Sequence, residues 1–177
     1  MTTKFMQVLV AYLHVLGVAT YLGGSIVMEF VVGPAQQAIP PAQAQVMGQK
    51  TADRFLILVW SALGLIAASG ILRLYSVDNQ SLLTSRDLLL DYQYGRTLLV
   101  MLVLWGVLVV NGAIITFVLR PRLTGRLGAA GSATQAQAHT QSKIRAATWV
   151  TRLTRADIVI ALGVALLGAS QRFGGIL

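Results

Sequence analysis

Residues 5–28 form a run of 24 positions without one charged side chain, and residues 55–72 and 97–119 add charge-free runs of 18 and 23. A helix rises 1.5 Å per residue, so ~20 apolar residues cross the ~30 Å of hydrocarbon in a bilayer. Three such runs cannot all be buried inside a chain of 177 residues. Much of their surface must face a medium as apolar as a protein interior, and lipid is that medium. A fourth run, residues 158–171, has 14 uncharged positions. It extends back through Trp149, Val150 and Leu153, with Arg152 and Arg155 snorkelling to the interface. The expected fold is all-α: a transmembrane four-helix bundle with helices near 5–32, 53–75, 96–119 and 147–171, making one integral membrane domain over residues 1–177. The first run is too long for a signal peptide, and a single basic residue, Lys4, precedes it.

The charged residues decide topology rather than a soluble partner. Only 11% of the chain is charged, against about 25% in soluble domains. The net charge of +8 would point to nucleic acid if it formed a patch on a soluble domain. Here the basic residues stand at the ends of the apolar runs, where they set orientation and meet anionic headgroups. No nucleic-acid partner is expected. Nine of them (Lys50, Arg54, Arg120, Arg122, Arg126, Lys143, Arg145, Arg152 and Arg155) share one side. The other side has Lys4, Arg73, Arg86, Arg96 and Arg172 together with Asp78, Asp87 and Asp91. The positive-inside rule therefore puts the loops at 33–52 and 120–146 in the cytoplasm and both termini outside, in the cytoplasmic membrane.

Between the runs, the Ala/Gln-rich stretch after Pro40-Pro41 is able to prolong the second helix beyond the bilayer. Residues 85–94 read as a short amphipathic surface helix capped by Ser85. The Gly/Ala/Ser/Gln-rich stretch after Arg120-Pro121-Arg122 reads as a flexible loop. The absence of cysteine excludes disulfides, thiolate chemistry, iron–sulfur clusters and covalent c-type haem attachment. There is no phosphate loop, nucleophile elbow or HExxH motif, so hydrolytic chemistry has no support, and the balance leans away from an enzyme.

The first helix has a polar and small-residue stripe: Gln7, His14, Gly17, Tyr21, Gly24, Ser25 and Met28. Leu9, Leu13, Leu16, Leu22 and Ile26 lie opposite and are expected to face lipid. Small residues let helices approach closely, so the stripe is expected to face the bundle. His14 sits roughly 13 Å inside the helix end at 1.5 Å per residue. Its imidazole is either a metal ligand, axial to haem or bound to copper, or a neutral histidine hydrogen-bonded to a neighbouring helix. Met101 is a further candidate ligand, set against the more common role of a space-filling core methionine. Ser61, Asn111 and Asp157 count to similar depth on the second, third and fourth helices, and form an expected intramembrane polar layer. Arg54 is a candidate partner for Asp157. The layer is either interhelical hydrogen bonding or a proton or ion path. Glu29 lies near the interface.

The segment from Tyr12 to Gly24, with His14, Gly17, Tyr21 and Gly23-Gly24, resembles the His-x-x-Gly…Trp-x-Gly-Gly pattern of the copper-resistance D-like (CopD-like) superfamily of small membrane proteins. Ala68-Ser-Gly70-Ile-Leu-Arg73 is similar to the end of that family's second helix. Gly95-Arg96, Asn111 and Arg120-Pro121-Arg122-Leu123 are similar to its third helix and exit. The resemblance spans residues 8–123. It implies a role for His14 as the family's first-helix histidine, with haem b or copper as cofactor in a membrane redox or metal-handling setting. In the HemJ-type porphyrinogen oxidases of this superfamily that histidine accompanies a lysine. Here Arg96 stands in the lysine's place and Tyr21 in that of the usual Trp, which counts against oxidase activity, since arginine does not deprotonate. Three function classes follow. The first is a haem- or copper-binding membrane protein. The second is a non-catalytic accessory subunit packed against other membrane subunits or itself. The third is a HemJ-like oxidase.

Overall fold

The computed structural model describes residues 4–76, 90–123 and 133–177. Most of the expected surface helix at 85–94 lies outside the described residues, as do Asp78, Arg86, Asp87 and Arg126 and the side chain of His139. Four helices are long and apolar enough to cross a membrane. They are α1 (Lys4–Gln37), α2 (Pro41–Ser76), α3 (Gln93–Leu123) and α4 (Ala133–Ser170). With no strand among the described residues, the molecule is the all-α four-helix membrane bundle that the apolar runs imply.

Two of the helices widen into a π-helical turn, and proline explains both. Met28–Val32 in α1 precedes Pro34, and Ile114–Leu119 in α3 precedes Pro121. Proline has no N–H, and its ring clashes with the carbonyl four residues back. The wider turn rearranges the ladder around it: Gly33 N–H bonds the Met28 carbonyl and Arg120 N–H bonds that of Ile115, five residues back in each case. The helices therefore continue past their prolines instead of ending.

Helix α4 begins at Ala133, not near 147, so residues 133–146, expected in a loop, are helical. Alanine and glutamine are strong helix formers. Their low hydropathy shows only that this segment is not made for hydrocarbon. Helix α2 starts at Pro41, so the Ala/Gln-rich stretch prolongs the second helix ahead of its apolar run at 53, as its sequence allows.

Specific contacts give the packing order. Gly17 on α1 lies against Ile66 on α2, and Gly24 against Phe55 and Leu58, so those helices run antiparallel. Trp60 Nε1 on α2 donates to Thr116 Oγ1 on α3 at 3.2 Å, and Arg120 on α3 pairs with Asp53 on α2. Met101 on α3 lies against Gly168 on α4. Arg155 on α4 pairs with Glu29 on α1 at 2.6 Å. Each helix thus neighbours the next in sequence, and α4 closes back on α1, an up-down-up-down bundle. Tyr21, Val59, Ala62, Leu63, Leu108 and Ala161 form its core. Val15, Ile57, Phe117, Val159 and Leu166 are each at least 65% exposed and make up the lipid-facing surface. On α1 the division is less clean than the stripe suggests. Gly17, Tyr21 and Ser25 are buried, but Gln7 is exposed, and Leu22 packs on the core rather than lipid. A helix gripped by two neighbours buries more than one stripe.

Beyond α4 the chain folds back over the start of α3. Gly174 takes a left-handed conformation, φ 91°, and Gly175 N–H bonds the Ser170 carbonyl at 3.1 Å, a glycine C-cap. Gly175, φ 93°, passes so close to α3 that a Cβ there would lie 2.6 Å from Thr97 Oγ1. Ile176 N–H donates to that hydroxyl, and Arg96 Nε donates to the Leu177 oxygen at 3.1 Å.

Candidate functional site

The seam between α1 and α2 positions His14. The register that sets Gly17 on Ile66 brings His14, one turn earlier, to Ser69 and Gly70. Glycine at 70 leaves room for the ring: a Cβ there would lie 3.6 Å from His14 Cε1. His14 Nδ1 lies 3.0 Å from Ser69 Oγ, and Ser69 is 2% exposed.

The Ser69 hydroxyl has backbone acceptors in reach as well as the imidazole. Ser69 O–H is directed to the Leu65 carbonyl at 2.5 Å, with Ile66 O at 3.2 Å as a second acceptor. A serine has one proton to give. When that proton goes to the backbone, Ser69 Oγ accepts from His14 Nδ1–H, and the tautomer so held keeps the Nε2 lone pair. It is the arrangement in which metal-binding histidines are held, one nitrogen donating to an acceptor while the other is left for the metal. Ser69 went unremarked in the sequence except as a letter in the Ala68-Ser-Gly70 stretch. Depth does not pair them, since Ser69 stands three residues from the end of the second apolar run and His14 nine from the start of the first; the register set at Gly17 and Ile66 does.

Met101 packs on α4. It lies in the α3–α4 seam, filling the space left open by Gly168. Among the described residues no group of three His, Asp or Glu gathers to hold a metal ion. Trp105, one turn from Met101, packs against the core. Its buried Nε1 finds no acceptor among the described residues.

The expected polar layer forms in part. Asn111 Nδ2 donates to Asp157 Oδ1 at 2.7 Å, and Asp157 is 5% exposed. Ser61 and Arg54 are exposed and away from this pair, so the expectation that Arg54 answers Asp157 is corrected: Asn111 does. Equal depth along a helix leaves the rotation about its axis open, and on α2 the neighbouring Trp60 takes the direction facing α3. Glu29, expected at the interface, is held by Arg155.

Asn111→Leu removes the hydrogen bond and leaves a buried carboxylate oxygen without its donor. It should cost about 1–2 kcal/mol in reversible unfolding from detergent micelles, the upper part of the range for interhelical hydrogen bonds in membranes. The double variant Asn111→Leu/Asp157→Leu should be more stable than Asn111→Leu alone, because the stranded carboxylate is gone. A double variant less stable than either single one would contradict this reading of the pair.

No curated protein and no solved structure matches the chain. The family model described as Copper resistance protein D matches residues 49–171. That stretch takes in most of α2, all of α3 and α4, and with them Ser69, Asn111 and Asp157. It stops short of α1, so His14 is tied to the matched region by the Ser69 hydrogen bond and not by the match itself. Four membrane-crossing helices and a match over more than half of the sequence settle the broad class: this integral membrane protein belongs to the CopD, or copper resistance protein D, family.

Proposed function

We propose that this chain is a single membrane domain that handles copper ions as cargo, with His14 Nε2 as a ligand. The observation that carries the reading is the Ser69 hydrogen bond, which holds the imidazole against helix α2 and, with the serine proton given to the backbone, leaves Nε2 for a metal. Imidazole is a good copper ligand, and the family's description supplies the copper context. One placed imidazole, without a surrounding cluster, suits an ion in passage better than a closed structural centre, which surrounds its metal with four ligands. By the positive-inside rule the end of the bundle with Lys50, Arg54 and Arg120 is cytoplasmic, and His14 then lies in the outer half of the membrane.

A haem fits these residues less well. The α1–α2 seam beside His14 is closed to touching distance at Gly17, where a Cβ would lie 2.9 Å from Ile66 Cγ1. Arg96, in the place of the oxidase lysine, is engaged with Leu177. The second reading, an accessory subunit, is favoured by the same hydrogen bond taken as an interhelical tie and nothing more.

The test is a titration of the purified protein with Cu(I) under reducing conditions against a competing chelator, with an absorption spectrum taken first. The proposal expects a single copper ion per chain and no Soret band. A Soret band would transfer His14 to haem. A colourless protein that leaves all copper on the chelator would favour the accessory subunit.

A further inference from the structure

Apart from the His14 seam and the Asn111–Asp157 pair, an open cleft of about 890 Å³ lies where α1 and α2 meet at the basic end of the bundle. Gly24, Val27, Met28, Phe55 and Leu58 line it on the apolar side, and Lys50 and Arg54 on the polar side. Its shape follows from the sequence. Gly24 has no side chain to fill the floor, and a Cβ there would come within 3.3 Å of the Phe55 ring. The two cations are four residues apart, on one face of α2. Residue 55 begins the charge-free run of α2, so the cations sit where the apolar part of the helix ends.

The carboxylates nearby are already committed. Asp53, also on the rim, pairs with Arg120, and Glu29 pairs with Arg155. Among the described residues, Lys50 and Arg54 therefore face the cleft with no carboxylate partner. The site joins two positive charges at the membrane boundary to an apolar wall running into the membrane. Its complement is an amphiphile with an anionic head. We propose that this cleft is a binding site for an anionic phospholipid, its phosphate held by Lys50 and Arg54 and an acyl chain laid along Val27, Phe55 and Leu58. Basic pockets between membrane helices bind anionic headgroups for this reason. A free phosphate would use the rim and leave the apolar wall without a role.

The experiment is a titration of the full chain, in uncharged detergent, with phosphatidylglycerol, following bound lipid by native mass spectrometry. The Lys50→Gln/Arg54→Gln variant should bind about thirty-fold more weakly, from the interaction of two cations with an anionic headgroup. Both side chains are exposed, so the variant should keep its helicity. Lys143→Gln/Arg145→Gln removes the same charge from the same end of the bundle outside the cleft, and should leave binding unchanged. Phosphatidylcholine should not compete, and inorganic phosphate should not displace the lipid. Equal binding by wild type and the cleft variant would overturn the proposal. So would an equal loss in the control variant, which would mean diffuse attraction, or displacement by inorganic phosphate, which would mean an anion site without a lipid. Copper binding at His14 has no part in this readout, so either proposal can fail without the other.

Discussion

Gly17→Leu should destabilise the bundle by about 3 kcal/mol, toward the upper end of what overpacking costs. The reason lies in how closely α1 and α2 approach. A single Cβ at residue 17 would already lie 2.9 Å from Ile66 Cγ1 and 3.3 Å from both the Ala62 carbonyl oxygen and the Ile66 nitrogen. Ile66 has some freedom to change rotamer, but the backbone atoms cannot move without shifting the helix. Three further carbons on a leucine would force the seam apart. The effect should spread to His14, one turn away, because its hydrogen bond to Ser69 depends on the same approach. Gly23→Leu is the matched control. A Cβ there meets nothing within 4 Å, so the change should stay within about 0.5 kcal/mol, as for surface substitutions generally. Unfolding of both variants in mixed micelles measures the difference. Equal stabilities would mean that α1 and α2 do not pack at Gly17 as described.

The sequence showed where the membrane is, because 18 or more uncharged residues have few other uses. It showed less of what lies outside hydrocarbon. The Ala/Gln-rich stretch before α2 could be read as a helical extension, but the similar residues 133–146 read as a loop, because hydropathy says nothing about helicity there. The π-helical turns before Pro34 and Pro121, and the helices' continuation through them, are seen only in the structure.

Side-chain pairing was legible by halves. Depth along the helices brought Asn111 and Asp157 together on paper, and they meet. Depth alone also nominated Ser61, which is exposed. What distinguishes the two is rotation about the helix axis. Rotation is fixed by close contacts such as Gly17 on Ile66 and Trp60 on Thr116, which involve residues distant in sequence. Ser69 was hidden for the same reason. A serine among alanines and glycines is unremarkable until the register of α1 on α2 places it beside His14.

The central claim is that His14 is a ligand and not only an interhelical tie. The stability of a variant does not separate these roles, since both lose the Ser69 hydrogen bond. Copper binding does. The decisive measurement is the Cu(I) titration repeated on His14→Ala, with circular dichroism to verify that the four helices remain. The account predicts a helical variant that no longer takes the copper ion held by the wild type. It also predicts an intermediate affinity for Ser69→Ala, about 10–100-fold below wild type, as expected when the group orienting a metal-bound histidine is lost. A folded His14→Ala chain that binds copper as tightly as the wild type would contradict the account.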